Sequence, residues 1–320
     1  MSELGPKMAA EMREGAAVFE AAARQPVSPI ARPGAIYTFA RGSSDTVANV
    51  LSYAFMERLG IPMTSLPPSV FSIGKGVSLG DALALVISQS GASEDLVACA
   101  KGADRSVAIT NVEGSAVEHE SDATIRINAG PENAVPATKT VLGALGAGLA
   151  LLHAIDGKTP DSVARVAEAR LPDDVLKDLA RTLGAARHIY VLGRQCSYGV
   201  AQEIALKLKE TSALHAEAYS ASEVLHGPIQ LATNPMVVLV LDAGDEASQP
   251  SLDRAETRFR SEGTPTFRIG PSDLGVPGLT GVEMAAALLY ALYPLVHRTA
   301  ARLGIDPDAP DKLAKVTRTE

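Results

Sequence analysis

Hydrophobic and polar positions change period along this chain in a regular way. Short, continuous apolar runs recur in AIYTFA (35–40), DALALVISQSG (81–91), SVAIT (106–110), TIRI (124–127), HIYVLG (188–193) and NPMVVLVLDAG (234–244). The first and fifth are followed by a turn and then by a long stretch with helical spacing. Runs without polar alternation are the pattern of strands buried on both faces, and strands that alternate with helices predict a parallel α/β sheet. Residues 1–28 predict a helical arm, and the segment beyond Gly304 a Pro-rich tail. The longest apolar stretch, Val141–Ile155, is Gly-punctuated and short for a bilayer crossing, so it predicts a buried helix.

The pattern occurs twice. Tyr37 in AIYTFARGSSDTVANVLSYAFME and Tyr190 in HIYVLGRQCSYGVAQEIALKLKE lie 153 residues apart. The same offset pairs Arg41 with Arg194, Ser44 with Ser197, Val47 with Val200, Ala48 with Ala201 and Glu57 with Glu210, and it runs on to Ser69 with Ser222, Gly74 with Gly227 and Gly91 with Gly244. A duplicated domain follows. The polar, Pro-punctuated stretch DGKTPDSVARVAEARLPDD separates the copies. The expected organisation is an arm (1–28), a first domain (29–157), a linker (158–178), a second domain (179–305) and a tail (306–320).

Composition narrows the function classes. The chain has 320 residues, enough for two domains, with 46% hydrophobic and 21% charged residues and no Trp. Its 37 acidic and 29 basic residues give a net charge of −8, which argues against nucleic acid as a partner. A small phosphorylated ligand stays open, because amides and hydroxyls bind phosphate without net basicity. Cys99 and Cys196 stand far apart and form neither a disulfide framework nor a metal-spaced cluster. The charged, amphipathic N-terminus has no apolar signal core, which sets the expectation of a cytoplasmic protein with no membrane partner.

Polar clusters fall where open α/β sheets bind ligands, at the ends of strands. Gly42-Ser43-Ser44 follows the first run, and Ser88-Gln89-Ser90-Gly91-Ala92-Ser93 follows the second. Each can surround an anion with hydroxyls and helix-terminal amides, or its serines can simply cap a helix. Ala137-Thr138-Lys139-Thr140 opens the apolar helix, and Thr138 fits a cap or a ligand contact equally. In the second copy, Lys207, Lys209, Glu210, His215, Glu217, Glu223 and His226 lie within a short span, and a carboxylate with a histidine can move protons near neutral pH. His226 precedes a Gly-Pro break and is expected in a loop. Lys315 sits in the tail, where a lysine is usually a solvated charge.

Taken in order, GSS (42–44), SQSG (88–91), ATKT (137–140), ALKLKE (205–210), HAEAYSASEVLHGP (215–228) and LAK (313–315) resemble the isomerase half of glucosamine-6-phosphate synthase, along nearly the whole chain. The resemblance implies two tandem sugar-isomerase (SIS) domains, each a flavodoxin-like α/β/α sandwich on a parallel sheet. It implies a phosphosugar cradle at Gly42, Ser43, Ser44, Ser88, Gln89, Ser90 and Ser93, with a backbone contact at Val135. Glu210 matches the carboxylate that shuttles a proton between C1 and C2. His226 matches the ring-opening histidine that reaches the neighbouring subunit's site, which implies a homodimer. Lys315 matches the tail lysine that engages the open-chain carbonyl. Neither cofactor nor metal is implied. Glu57 and Ile73 stand at the repeat positions of Glu210 and His226, so the first copy is expected to bind phosphate and the second to supply the catalytic groups.

Three departures shape the expected reaction. No counterpart of the synthase's glutaminase half, with its cysteine nucleophile, is found in these residues. Ala92 replaces a carboxylate of the SQSGET-like turn, and the tail DPDAPDKLAKVTRTE lacks an Arg-Asn pair. These features resemble stand-alone SIS-type glucosamine-6-phosphate deaminases. The expected activity is therefore conversion of glucosamine 6-phosphate to fructose 6-phosphate and ammonia. An ammonia-dependent synthase, another phosphosugar ketose/aldose isomerase, a deglycase and a non-catalytic phosphosugar sensor remain open.

Overall fold

The computed structural model describes residues 4–158 and 162–315. They form two compact units. One comprises residues 17–132 and 139–163, the other residues 1–16, 133–138 and 164–315, as far as each is described. Helix α1 (Pro6–Arg24) is divided between them.

The first unit carries β1 (Ile36–Phe39), α2 (Ser43–Leu59), β2 (Met63–Ser65), α3 (Ser69–Ser72), β3 (Leu83–Ile87), α4 (Glu94–Gly102), β4 (Ser106–Thr110), α5 (Ala116–His119), β5 (Ala123–Arg126) and α6 (Lys139–Asp156). Its five strands are all parallel, in the order β2-β1-β3-β4-β5. The second unit carries α7 (Asp173–Ala185), β6 (Ile189–Gly193), α8 (Cys196–Ser212), β7 (Ala216–Ser220), β8 (Val237–Leu241), α9 (Gln249–Ser261), β9 (Thr266–Ile269) and α10 (Gly281–Arg302), with short 3-10 turns at Val163–Glu168, Glu223–His226, Pro228–Thr233 and Glu246–Ser248. Its four strands repeat the order as β7-β6-β8-β9, again all parallel.

Every residue of β3, β4, β6 and β8 is buried, as continuous apolar runs demand. Phe39, Val86, Leu96 and Cys99 centre the core of one unit, and Tyr190, Leu192, Val240 and Phe259 that of the other. Both cysteines are free and buried; burial and the nearby Asp95 carboxylate push the Cys99 thiol up to about 12, which leaves it unreactive. The apolar helix expected at 141–155 is α6, with an unbroken buried run from Lys139 to Leu152. It is long and apolar enough to cross a membrane, yet 78% of its apolar window is buried inside the protein.

Three strands depart from the sequence expectation. β2 has only three residues, and β9, TFRI, is too short to stand out. β7 reads AEAYS, an Ala/Glu composition that favours helix, yet it pairs with β6 along its whole length, so Glu217 lies on a strand.

The strand registers also correct the gap-free repeat. Ile36 pairs with Met63 and Ile189 with Ala216, each equivalent position 153 apart. Ile36 also pairs with Leu83, whereas Ile189 pairs with Val237, a spacing of 154. The second copy has gained one residue between β7 and β8 and lost one in the turn after β8, so Gly244 regains the original offset from Gly91.

One repeat position carries strain. Gly42, the residue before α2, has φ 53° and ψ −129°, and Gln195, the residue before α8, has φ 52° and ψ −133°. That backbone suits glycine, and a side chain there costs about 1–3 kcal/mol. Gln195→Gly is therefore expected to raise stability by about 1 kcal/mol once the glycine's extra chain entropy is deducted. Chemical denaturation checks this, and a destabilised variant would show that the Gln195 side chain makes up the strain in contacts of its own.

Candidate functional site

Two serine turns stand together in the first unit. Ser43 and Ser44 open α2 directly after β1, with the amides of Ser44 and Asp45 closing onto the carbonyls of Arg41 and Gly42 at 3.1 and 3.0 Å. Ser88 leaves β3, and its hydroxyl accepts the Gly91 amide at 3.1 Å; the Ser90 hydroxyl accepts the Ala92 amide at 3.3 Å. Gly91 is required here: its φ is 61°, and a Cβ would lie 2.1 Å from the Ser115 hydroxyl. Arg41, at the end of the first turn, is ion-paired and hydrogen-bonded to Asp95 in the first turn of α4, which locks the two turns to each other. Asp95 is almost wholly buried while the Arg41 side chain is half exposed, so solvent screens this pair in part.

The capping alternative can be tested on these atoms. The residues before α2 and α4 are Gly42 and Ser93, and neither makes a side-chain cap bond. Among the described residues the hydroxyls of Ser43, Ser44 and Ser93 and the Gln89 amide group have no hydrogen-bond partner. Ser88 and Ser90 use only their acceptor capacity. The cluster therefore presents a set of uncommitted donors at two helix N-termini, an arrangement suited to an anion. Thr138 is fully buried and so is not presented to solvent, while Thr140 is held by the Glu132 carboxylate, which accepts from its amide at 3.1 Å and its hydroxyl at 2.6 Å.

The second unit carries three groups of its own. In the first, the loop 133–135 is fixed by backbone contacts. The buried Glu11 carboxylate accepts the amides of Asn133 and Ala134, and the Val135 amide donates to the Asp308 carbonyl at 3.0 Å. Val135 therefore has its N–H committed, and its carbonyl is the backbone group left for a ligand. Lys315 Nζ donates to the Ala134 carbonyl at 2.5 Å, so the tail lysine and this loop are brought together. The tail is held because Asp308 accepts the Lys7 and Met8 amides at 2.8 and 2.7 Å, serving as a cap for α1 from 300 residues away.

The second group lies on α8. Lys207 is 1% exposed, and its ammonium contacts Glu210 at 2.5 Å and Glu203 at 3.5 Å. Glu203 is fully buried and also accepts a hydrogen bond from the Tyr293 hydroxyl of α10 at 3.3 Å. Glu210 alone of the three reaches solvent, with 26% of its side chain exposed. A carboxylate anchored on one side and open on the other can accept and return a proton without reorienting. The third group, His226, ends the Glu223–His226 turn rather than standing in an open loop; it is exposed and makes no hydrogen bond or ion pair with a described residue.

Sequence reasoning missed Asp95, Glu11, Asp308, Glu203 and Tyr293. Only Glu203 left a signal, its i,i+4 spacing from Lys207.

The serine turns at parallel strand ends in one unit are suited to a small anion, and the anchored carboxylate in the other unit is suited to acid–base work. The SIS domain model matches residues 30–154 and 182–269, and the chain belongs to the SIS domain family. It is 31% identical over 299 residues to the glutamine–fructose-6-phosphate aminotransferase (isomerizing) of Methanothermobacter thermautotrophicus, covering 87% of this chain and 50% of that one. Against the enzyme of the same name from Escherichia coli K12 it is 31% identical over 315 residues, covering 89% and 52%. The chain thus spans about half the length of these curated relatives. Among solved structures, a protein from Silicibacter pomeroyi provisionally assigned as a phosphosugar isomerase is 34% identical, with a TM-score of 0.75 and 94% of each chain covered. The glucosamine-6-phosphate deaminase of Thermotoga maritima shares the fold at 22% identity, with a TM-score of 0.80 and coverage of 98% and 100%.

The buried charges on α8 make a testable demand. Lys207→Met leaves the Glu203 carboxylate buried without its cation and is expected to cost about 3–5 kcal/mol of stability. The double variant Glu203→Gln/Lys207→Met should recover most of that loss. Denaturant unfolding of the three proteins checks it, and a Lys207→Met variant of native stability would remove the ion cluster as a structural element.

Proposed function

We propose that this chain is an amino-sugar-phosphate isomerase/deaminase that converts glucosamine 6-phosphate and water to fructose 6-phosphate and ammonia. The observation that carries the reading is Glu210, a carboxylate held by a buried ammonium on one side and open to solvent on the other. The uncommitted donors of Ser43, Ser44, Ser93 and Gln89 support a phosphate at the serine turns, beside Ser88 and Ser90. The family membership and the Silicibacter and Thermotoga relatives support the substrate class.

In this mechanism the phosphate is bound by hydroxyls and helix-terminal amides, and His226 of a second subunit assists ring opening. Lys315 and the Val135 carbonyl engage the open chain, Lys315 at the C1 oxygen. Glu210 removes the C2 proton and returns it at C1, so the 2-amino aldehyde becomes a 2-ketimine. Water then adds at C2, the amine leaves as ammonia, and the ketose phosphate remains. Each proton transfer of this kind contributes roughly 10²–10⁴ in rate.

The test is release of ammonia and fructose 6-phosphate from glucosamine 6-phosphate, with galactosamine 6-phosphate in parallel. Glu210→Gln is expected to lower turnover by at least about 10³-fold while substrate binding persists. A near-native rate in that variant would remove Glu210 from the chemistry, and binding without product in the native protein would favour a sensor. For the shared site, inactive Glu210→Gln and His226→Ala subunits are expected to regain part of the activity when mixed. No recovery in verified mixed dimers would place both groups in one subunit.

A further inference from the structure

Within the first unit, α2 and the two strands beside it enclose a polar cavity. Asp45, Ala48, Asn49 and Ser52 stand at i, i+3, i+4 and i+7 on one face of α2. That face meets Thr38 of β1 and Met63 and Ser65 of β2 across a volume of about 160 Å³. The register Thr38↔Ser65 sets those two strand residues side by side. The cavity is distinct from the paired serine turns, because β2 and β3 flank β1 on opposite sides.

Its polar groups are largely uncommitted. Thr38 is 2% exposed, and neither its hydroxyl nor the Asn49 carboxamide has a hydrogen-bond partner among the described residues. A buried hydroxyl left without a partner costs about 1–3 kcal/mol, so it calls for an explanation. Asp45 accepts one long bond, from the Ser65 hydroxyl at 3.3 Å, and makes no ion pair with a described residue. Burial raises the Asp45 carboxyl above its ordinary value, and the Ser65 bond offsets only part of that. Ser52 donates to the Asn49 carbonyl at 2.7 Å and keeps its acceptor capacity. No Lys, Arg or His among the described residues lines the cavity.

We propose that this cavity binds a small amino polyol that carries no phosphate, with its ammonium on Asp45 and its hydroxyls on Thr38 and Asn49. The lining selects that class against three others. A phosphate would face a carboxylate with no cation beside it. A bare cation would satisfy Asp45 but leave the Asn49 N–H groups unmet and most of the volume, about five waters' worth, unfilled. A neutral sugar would bring hydroxyls without the charge that a partly desolvated carboxylate favours. Ala48 and Met63 supply an apolar wall for the carbon skeleton. The volume lies below the roughly 300–1,000 Å³ of sites for drug-sized ligands, so the ligand is a single ring or a short chain. Glu210 belongs to the other unit, and the inference stands whether or not it turns over a substrate.

The test is calorimetric titration of the full-length protein with glucosamine hydrochloride, and separately with glucose and with ammonium chloride, at matched ionic strength. Glucosamine is expected to bind, with glucose and ammonium each at least about tenfold weaker, because one lacks the charge and the other the hydroxyls. Asp45→Asn should weaken glucosamine binding by at least about tenfold. Thr38→Val should weaken it by about fivefold or more, yet leave the unfolding midpoint of the ligand-free protein at or above the native value, because the hydroxyl it removes has no partner to lose. Valine keeps the shape of threonine, so Thr38→Val tests the site even if Asp45→Asn disturbs α2. Glu210→Gln and Ser90→Ala should bind glucosamine as the native protein does, which separates this cavity from the proposed reaction. Absence of binding at millimolar glucosamine, equal binding of glucose or ammonium, or binding lost in Ser90→Ala but kept in Asp45→Asn overturns the proposal.

Discussion

A strand buried on both faces has no side chain to spare for chemistry. β3 and β8 are five-residue runs in which every position is covered, and each large apolar side chain contributes about 1.5–3 kcal/mol by leaving water. Polar function is thereby displaced to the turns that leave the strands and to the helices beside them. The serine turns after β1 and β3 are one answer to this constraint, and the ion cluster on α8 is the other. The first depends on the Arg41–Asp95 pair, which couples two turns that parallel pairing alone would only bring near each other.

The duplication shows how one scaffold accommodates both answers. After β8 the serines give way to Asp242-Ala243, and Asp242 is fully occupied: Arg268 Nη2 approaches it at 2.8 Å, and it accepts the Gly244 amide and the Gln249 side chain at 2.8 and 2.9 Å. A turn that places a carboxylate at this position, paired with the Arg268 guanidinium of β9, is less suited to a phosphate than one lined by hydroxyls. The helices diverge in the opposite direction. α2 has Val50 and Ala54 where α8 has Glu203 and Lys207, so Glu57, the repeat counterpart of Glu210, has no buried cation to anchor it. The two copies thus differ in both places: hydroxyls line the turn of the first, and a buried charge system lies on the helix of the second.

Much of this was legible in the residues. The continuous apolar runs identified β1, β3, β4, β6 and β8 because burial on both faces leaves an unambiguous hydropathy signal, and the repeat fixed the order of elements. β7 was not legible, since AEAYS carries a helix former's composition and becomes a strand through pairing with β6. The serine turns could be located, yet whether their hydroxyls cap a helix or stay free depends on rotamers that spacing does not encode. Lys207 and Glu210 could be placed on one helical face. That the lysine is fully buried follows only from the packing of α8 against α10, where Tyr293 meets Glu203.

The limit of local reasoning is clearest at Lys315. By the ordinary rules for chain ends, a lysine in a Pro- and Asp-rich tail is a solvated charge. Its position is instead set by a carboxylate seven residues earlier: Asp308 caps the first turn of α1, and its carbonyl holds Val135. Glu11, one turn further along α1, holds the neighbouring amides of the same loop. The first half of α1, the 133–135 loop and the tail are therefore one hydrogen-bonded assembly within the second unit, built from three separate parts of the sequence. A cap of this kind contributes about 1 kcal/mol wherever it occurs. Here it also fixes where an amine is delivered, so a truncation of α1 would act on the Lys315 position although α1 itself carries none of the candidate chemistry.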